Sequence, residues 1–98
     1  MSQQFYTVVC EFRGGTYVSQ LFAPNEVEAV RLWAEQIAKE KPVPRVSAHL
    51  AKNALLDLTL GDLPTPLDGL TGVWCFMPRV GKDSALCNLV LTAEIGAS

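Results

Sequence analysis

Charge is the scarcest commodity in this chain. Asp, Glu, Lys and Arg make up 18% of its 98 residues, where an average soluble domain carries about 25%. A small protein has the most surface for its volume and should need more polar cover, not less. The eight basic residues stand singly: Arg13, Arg31, Lys39, Lys41, Arg45, Lys52, Arg79 and Lys82. With a net charge of −2 and a pI near 5.2, the footprint of a direct nucleic-acid binder is missing. There is one histidine, His49, and a metal site needs several converging ligands. There are three cysteines, Cys10, Cys75 and Cys87. They are odd in number and lack C-x-x-C spacing, which argues against a disulfide scaffold and for buried thiols in a reducing, cytoplasmic setting. No apolar run approaches the ~18 residues of a membrane span. The opening Met-Ser-Gln-Gln has no basic region of a secretory signal.

What the chain does have is apolar side chains: 49% of residues and a mean hydropathy of +0.20. Ninety-eight residues suffice for one α+β domain spanning 1–98, which buries roughly 60–65% of its unfolded surface. Either the core is unusually well filled, or a second copy or another partner covers apolar surface; the second reading is favoured.

The clearest local pattern opens the chain. Phe5–Arg13 and Thr16–Ala23 are β-rich runs around Gly14-Gly15, which predicts a hairpin with a two-residue type I′ turn at the glycines. In that register Phe12 opposes Tyr17, Cys10 opposes Ser19 and Val8 opposes Leu21. One face then carries Tyr6, Val8, Cys10, Phe12, Tyr17 and Leu21, as a core requires. The other carries Phe5, Thr7, Val9, Glu11, Arg13, Val18, Gln20 and Phe22, half of them apolar, where a solvent face is normally more polar.

A helix is expected next. Asn25 can cap it, Glu28 completes a capping box, and Val27, Val30, Trp33, Ala34, Ile37 and Ala38 recur at helical spacing. Glu28, Glu35, Gln36 and Lys39 form the opposite side, with Leu32 among them. Pro42 and Pro44 should stop the helix near Lys41. Val46–Leu60 fits either period; its Ala and Leu content favours a helix through about Asp57. Gly61–Gly69 reads as a loop with a turn at Thr65-Pro66. Val73–Met77 and Ala85–Ile95 form a second hairpin joined through Pro78–Ser84. The order is β-β-α-(α)-β-β: a largely antiparallel sheet with helices packed on one face.

No motif carries catalytic chemistry. Gly14-Gly15 is not followed by a phosphate-loop pattern. Asp57, Asp62 and Asp68 lack calcium-loop spacing. Cys75, inside Val73-Trp74-Cys75-Phe76-Met77, reads as a buried thiol rather than a nucleophile. No catalytic residue, metal or cofactor is expected.

The stretch Phe12-Arg13-Gly14-Gly15-Thr16-Tyr17-Val18-Ser19-Gln20, with Glu28-Ala29 and Trp33-Ala34, resembles small uncharacterised bacterial proteins, some of them carried on mobile gene cassettes. That resemblance covers about the first third of the chain and implies no activity. The strand-Gly-Gly-strand-helix opening is also similar to HicB-like antitoxins. Here, though, Phe22-Ala23-Pro24-Asn25 leads straight into the helix, without the Pro-Asp loop expected there.

Three functions fit. The first is a non-catalytic interaction module that self-associates, as a dimer, and takes a protein or small-molecule partner through Phe5, Val9, Val18, Phe22 and Leu32. The second is a ligand-binding or enzymatic cleft lined by Tyr6, Tyr17, Trp33, His49 and Trp74. The third is a toxin–antitoxin-type regulatory partner that meets nucleic acid only through another chain.

Overall fold

The arrangement of the chain was obtained as a computed structural model, which describes residues 3–93. Two long strands, β1 (Gln4–Phe12) and β2 (Gly15–Ala23), are followed by helices α1 (Glu26–Glu40) and α2 (Ser47–Thr59). The short β3 (Thr65–Pro66) leads to β4 (Val73–Phe76), a small two-stranded ribbon of β5 (Arg79–Val80) and β6 (Asp83–Ser84), and finally β7 (Leu86–Leu91). The fold is α+β, with a five-stranded antiparallel sheet in the order β2-β1-β7-β4-β3.

The hairpin forms where expected, but its turn lies one residue earlier. Phe12 pairs with Gly15 and Cys10 with Tyr17, so the two turn residues are Arg13 and Gly14, both at positive φ (49° and 83°). The left-handed conformation costs a non-glycine residue roughly 1 kcal/mol. Contacts of Arg13 offset it: its guanidinium lies 4.7 Å from the centre of the Phe12 ring and its Nε donates to Asp83 at 2.8 Å. Gly15 is needed for a different reason. A Cβ there would sit 2.5 Å from the Tyr17 hydroxyl, so the ring uses the space the glycine leaves. Relative to the Gly-Gly register every pair is displaced by two residues. An even displacement keeps each side chain on its face, and the expected core face is the observed one.

Helix α1 begins where Asn25 accepts a hydrogen bond from the Glu28 amide (2.9 Å). It ends at Lys41, which turns left-handed (φ 54°) ahead of Pro42. Its stripe Ala29, Val30, Trp33, Ala34 and Ile37 is buried. Leu32 is not on the polar side: it is half-buried and packs against the core, because the stripe is wide enough to include the flank between Ala29 and Gln36. Arg31 instead anchors the exposed side, pairing with Glu28 (2.7 Å) and Glu35 (2.6 Å).

The ambiguous Val46–Leu60 stretch is helical, and α2 runs two residues beyond the expected end at Asp57. Ser47 starts it inside the core, where its hydroxyl accepts from the Val43 amide and donates to the Val43 carbonyl. Both helices pack on the same side of the sheet. Tyr6, Val8, Cys10 and Phe12 of β1, with Cys87 and Leu89 of β7, meet Trp33, Ile37, Leu50 and Ala54 in one continuous core. Aromatic edges lock it: Trp33 stands edge-on to Phe76 at 5.2 Å, and Tyr6 lies 6.1 Å from Trp74.

The closing hairpin pairs Val73 with Val90 and Phe76 with Cys87. Its tip is the β5–β6 ribbon, held to α2 by a hydrogen bond from the Asn53 side-chain amide to the Arg79 carbonyl. Cys75 departs from expectation. Trp74 and Phe76 take the core side of β4, so Cys75 points to the opposite side, across from Asn88, and is half-buried. Thr65-Pro66 is not only a turn; it adds the short outer strand β3 against β4. Ile95, expected at the end of the last strand, lies outside the described residues.

Candidate functional site: the bare face and free edge of the sheet

With both helices on one side, the other side of the sheet is left open among the described residues. Register places its side chains in cross-strand rows. Phe22 and Phe5 head one row, their rings 4.8 Å apart. Gln20, Thr7, Val90 and Val73 form the next, and Val18, Val9, Asn88, Cys75 and Thr65 the third. Thr16, Glu11 and Leu86 close the face. Glu11 is the only charged side chain in these rows. Polar groups in the middle satisfy one another: the Thr7 and Thr92 hydroxyls are 2.7 Å apart, and Gln20 Nε2 donates to Thr7 at 3.0 Å. Much of the apolar surface stays in water, with Val18 62% and Phe22 47% exposed. Leu86 is exposed as well.

Of the expected contact residues, Phe5, Val9, Val18 and Phe22 are brought together on this face, while Leu32 lies apart, on α1. The sequence-based selection omitted Val73, Leu86 and Val90. The alternation Leu86-Asn88-Val90 in the last strand was the available signal, but their neighbours on β1 are fixed only by the sheet order.

The aromatic residues proposed for a cleft are dispersed. Tyr6 and Trp33 are 1% exposed and belong to the core. Tyr17 and Trp74 pack against it from the sheet. His49 is exposed on the first turn of α2. Two concave sites among the described residues lie elsewhere. One, of about 430 Å³, opens beside the loop after α2 and includes Asp57, Asp62, Cys75 and Met77. Burial, and then the charge of Asp62, raise the Asp57 carboxyl above its ordinary range. The other, of about 440 Å³, is a shallow apolar groove where Ala38 of α1 meets Ala48, Ala51, Leu55 and Leu56 of α2. Among the described residues no three His, Cys, Asp or Glu side chains converge as metal ligands. No helix there is long and apolar enough to cross a membrane.

Comparison with known proteins adds no relative: no family model, curated protein or solved structure matches the chain.

The two edges of the sheet differ. One is β3, two residues long and containing a proline. The other is β2, nine residues from Gly15 to Ala23, paired to β1 without a bulge. It carries no charge and no proline. Natural edge strands are usually guarded by shortness, proline, lysine or a bulge, and β2 has none of these.

Proposed function

We propose that this protein is a small, cytoplasmic, non-catalytic interaction module that works as a homodimer, using the hairpin side of its sheet as contact surface. One observation carries the reading: the bare face and the β2 edge adjoin, and across both of them Glu11 is the only charged side chain. Antiparallel sheets with one wet face normally alternate apolar and polar cleanly. Here Phe5, Val9, Val18, Phe22 and Val90 interrupt that alternation on the wet side. Large exposed apolar patches on small proteins mark association sites. The reduced set of charges, low for a particle of 10.7 kDa, follows from a surface shared between copies.

A cleft function is less well supported, because Tyr6 and Trp33 sit in a packed core and the concave sites have other linings. Sedimentation velocity tests the module. The wild type is expected at twice the chain mass at micromolar concentration. Val18→Lys, which puts a charge where edge and face meet, is expected to sediment as a single chain. A wild type that sediments as one chain throughout the range contradicts the proposal.

A further inference from the structure

We infer that the homodimer, which rests on the reading above, forms by antiparallel pairing of β2 with β2 of a second copy, joining two five-stranded sheets into one. Backbone polarity along the hairpin makes the edge explicit. The Thr92 amide donates to the Phe5 carbonyl (2.8 Å), so the odd-numbered residues of β1 aim their polar groups at β7 and the even-numbered ones at β2. Their partners on β2 are Gly15, Tyr17, Ser19, Leu21 and Ala23. The N–H and C=O groups of Thr16, Val18, Gln20 and Phe22 therefore point away from the sheet, in a row that fits another extended strand.

A closed dimer with a twofold axis pairs this edge with itself, antiparallel. One register engages all four outward residues, with the axis at Ser19. Thr16 then faces Phe22 of the other copy, and Val18 faces Gln20. On the inner side Tyr17 faces Leu21, two half-buried side chains that gain cover from each other. Charge favours a second copy over an unrelated strand. No like charges meet along β2, which has none. At each end the turn residue Arg13 of one copy, held on one side by its own Asp83, comes to the start of α1 of the other, where Glu26 stands in the first turn. The β3 edge cannot substitute, since Pro66 withholds a donor and the strand is two residues long.

Amide hydrogen exchange and two variants test this. The amides of Thr16, Val18, Gln20 and Phe22 are expected to be protected at high concentration and to exchange freely on dilution. Gln20→Pro removes an outward donor without touching the β1 ladder, and is expected to give a folded monomer by circular dichroism and sedimentation. Asn88→Lys, in the middle of the bare face and away from the edge, is expected to stay dimeric. If Asn88→Lys splits a dimer whose four edge amides exchange freely, copies stack face to face; the edge inference fails and the dimeric module stands. If the wild type never dimerises, both fail. Should the four amides become protected only when a different protein binds, the edge serves a foreign strand and the inference is overturned. The exchange measurement uses the wild type, so it decides even if Gln20→Pro does not fold.

Discussion

Cys10 of β1 and Cys87 of β7 face each other directly across the sheet, both sealed in the core. The neighbouring Cys10 thiol and then burial push the Cys87 thiol far above its ordinary range. Thiolates, not thiols, react, so Cys87 is inert, and both Cys10 and Cys87 are out of reach of solvent. Cys75, on the bare side of β4, is half-buried beside a surface cavity. A disulfide-exchange reagent at mildly alkaline pH is therefore expected to label Cys75 first, and Cys10 and Cys87 only on unfolding. Rapid labelling of Cys87 in the native protein would count against the packing described.

Cys87 makes stability depend on pH. In the unfolded chain a thiol ionises near its ordinary value of 9.0, while in the folded protein Cys87 keeps its proton. A group held protonated by the fold contributes stability that is fully present below the unfolded pKa and lost as pH rises above it. Tyr6 acts in the same direction: burial, and then the charge of Glu26, raise its phenol above 10.0. The melting temperature is expected to be flat from neutral pH to just below 9 and to fall beyond it. Cys87→Ala should melt lower overall but show a shallower alkaline decline. An unchanged decline in that variant would remove Cys87 as its cause.

The turn at Arg13-Gly14 is open to a direct check. Asparagine adopts positive φ more readily than arginine and is preferred at the first position of a type I′ turn. Arg13→Asn is therefore expected to leave stability within about 0.5 kcal/mol, the easier φ offsetting the lost Phe12 ring contact and the exposed Asp83 pair. A loss of about 1 kcal/mol, the range separating good from poor strand residues, would place Arg13 in the strand and the turn at Gly14-Gly15.

Trp33 is the largest fully buried side chain and stands between α1 and the closing hairpin. Trp33→Ala is expected to cost about 3–5 kcal/mol, a large share of the stability of a domain this size. Chemical denaturation measures it. A cost below 1 kcal/mol would mean that Trp33 is not the centre of the core.

Much of the fold was legible because side-chain period survives small errors of register. Tyr6, Val8, Cys10 and Phe12 fall on one face whether the turn starts at Arg13 or Gly14, since the two registers differ by two residues. Asn25 and Glu28 marked the start of α1, and the prolines after Lys41 marked its end. Sheet order was not legible. Nothing local says that β7 enters between β1 and β4, and that insertion is what places Val90 beside Thr7 and completes the bare face. Cys75 was misplaced for a related reason: in the run Val73-Trp74-Cys75-Phe76-Met77 both parities are apolar, so alternation could not say which side meets the helices. Leu32 shows the limit of a helical wheel, on which a half-buried flank looks polar until the neighbouring helix is in place.

Light scattering of the wild type through a dilution series from the high to the low micromolar range tests the central claim most directly. A mass of twice 10.7 kDa that falls towards 10.7 kDa only on dilution is the predicted result. A constant mass of one chain at every concentration would contradict it, and would leave the outward backbone groups of β2 without a partner strand.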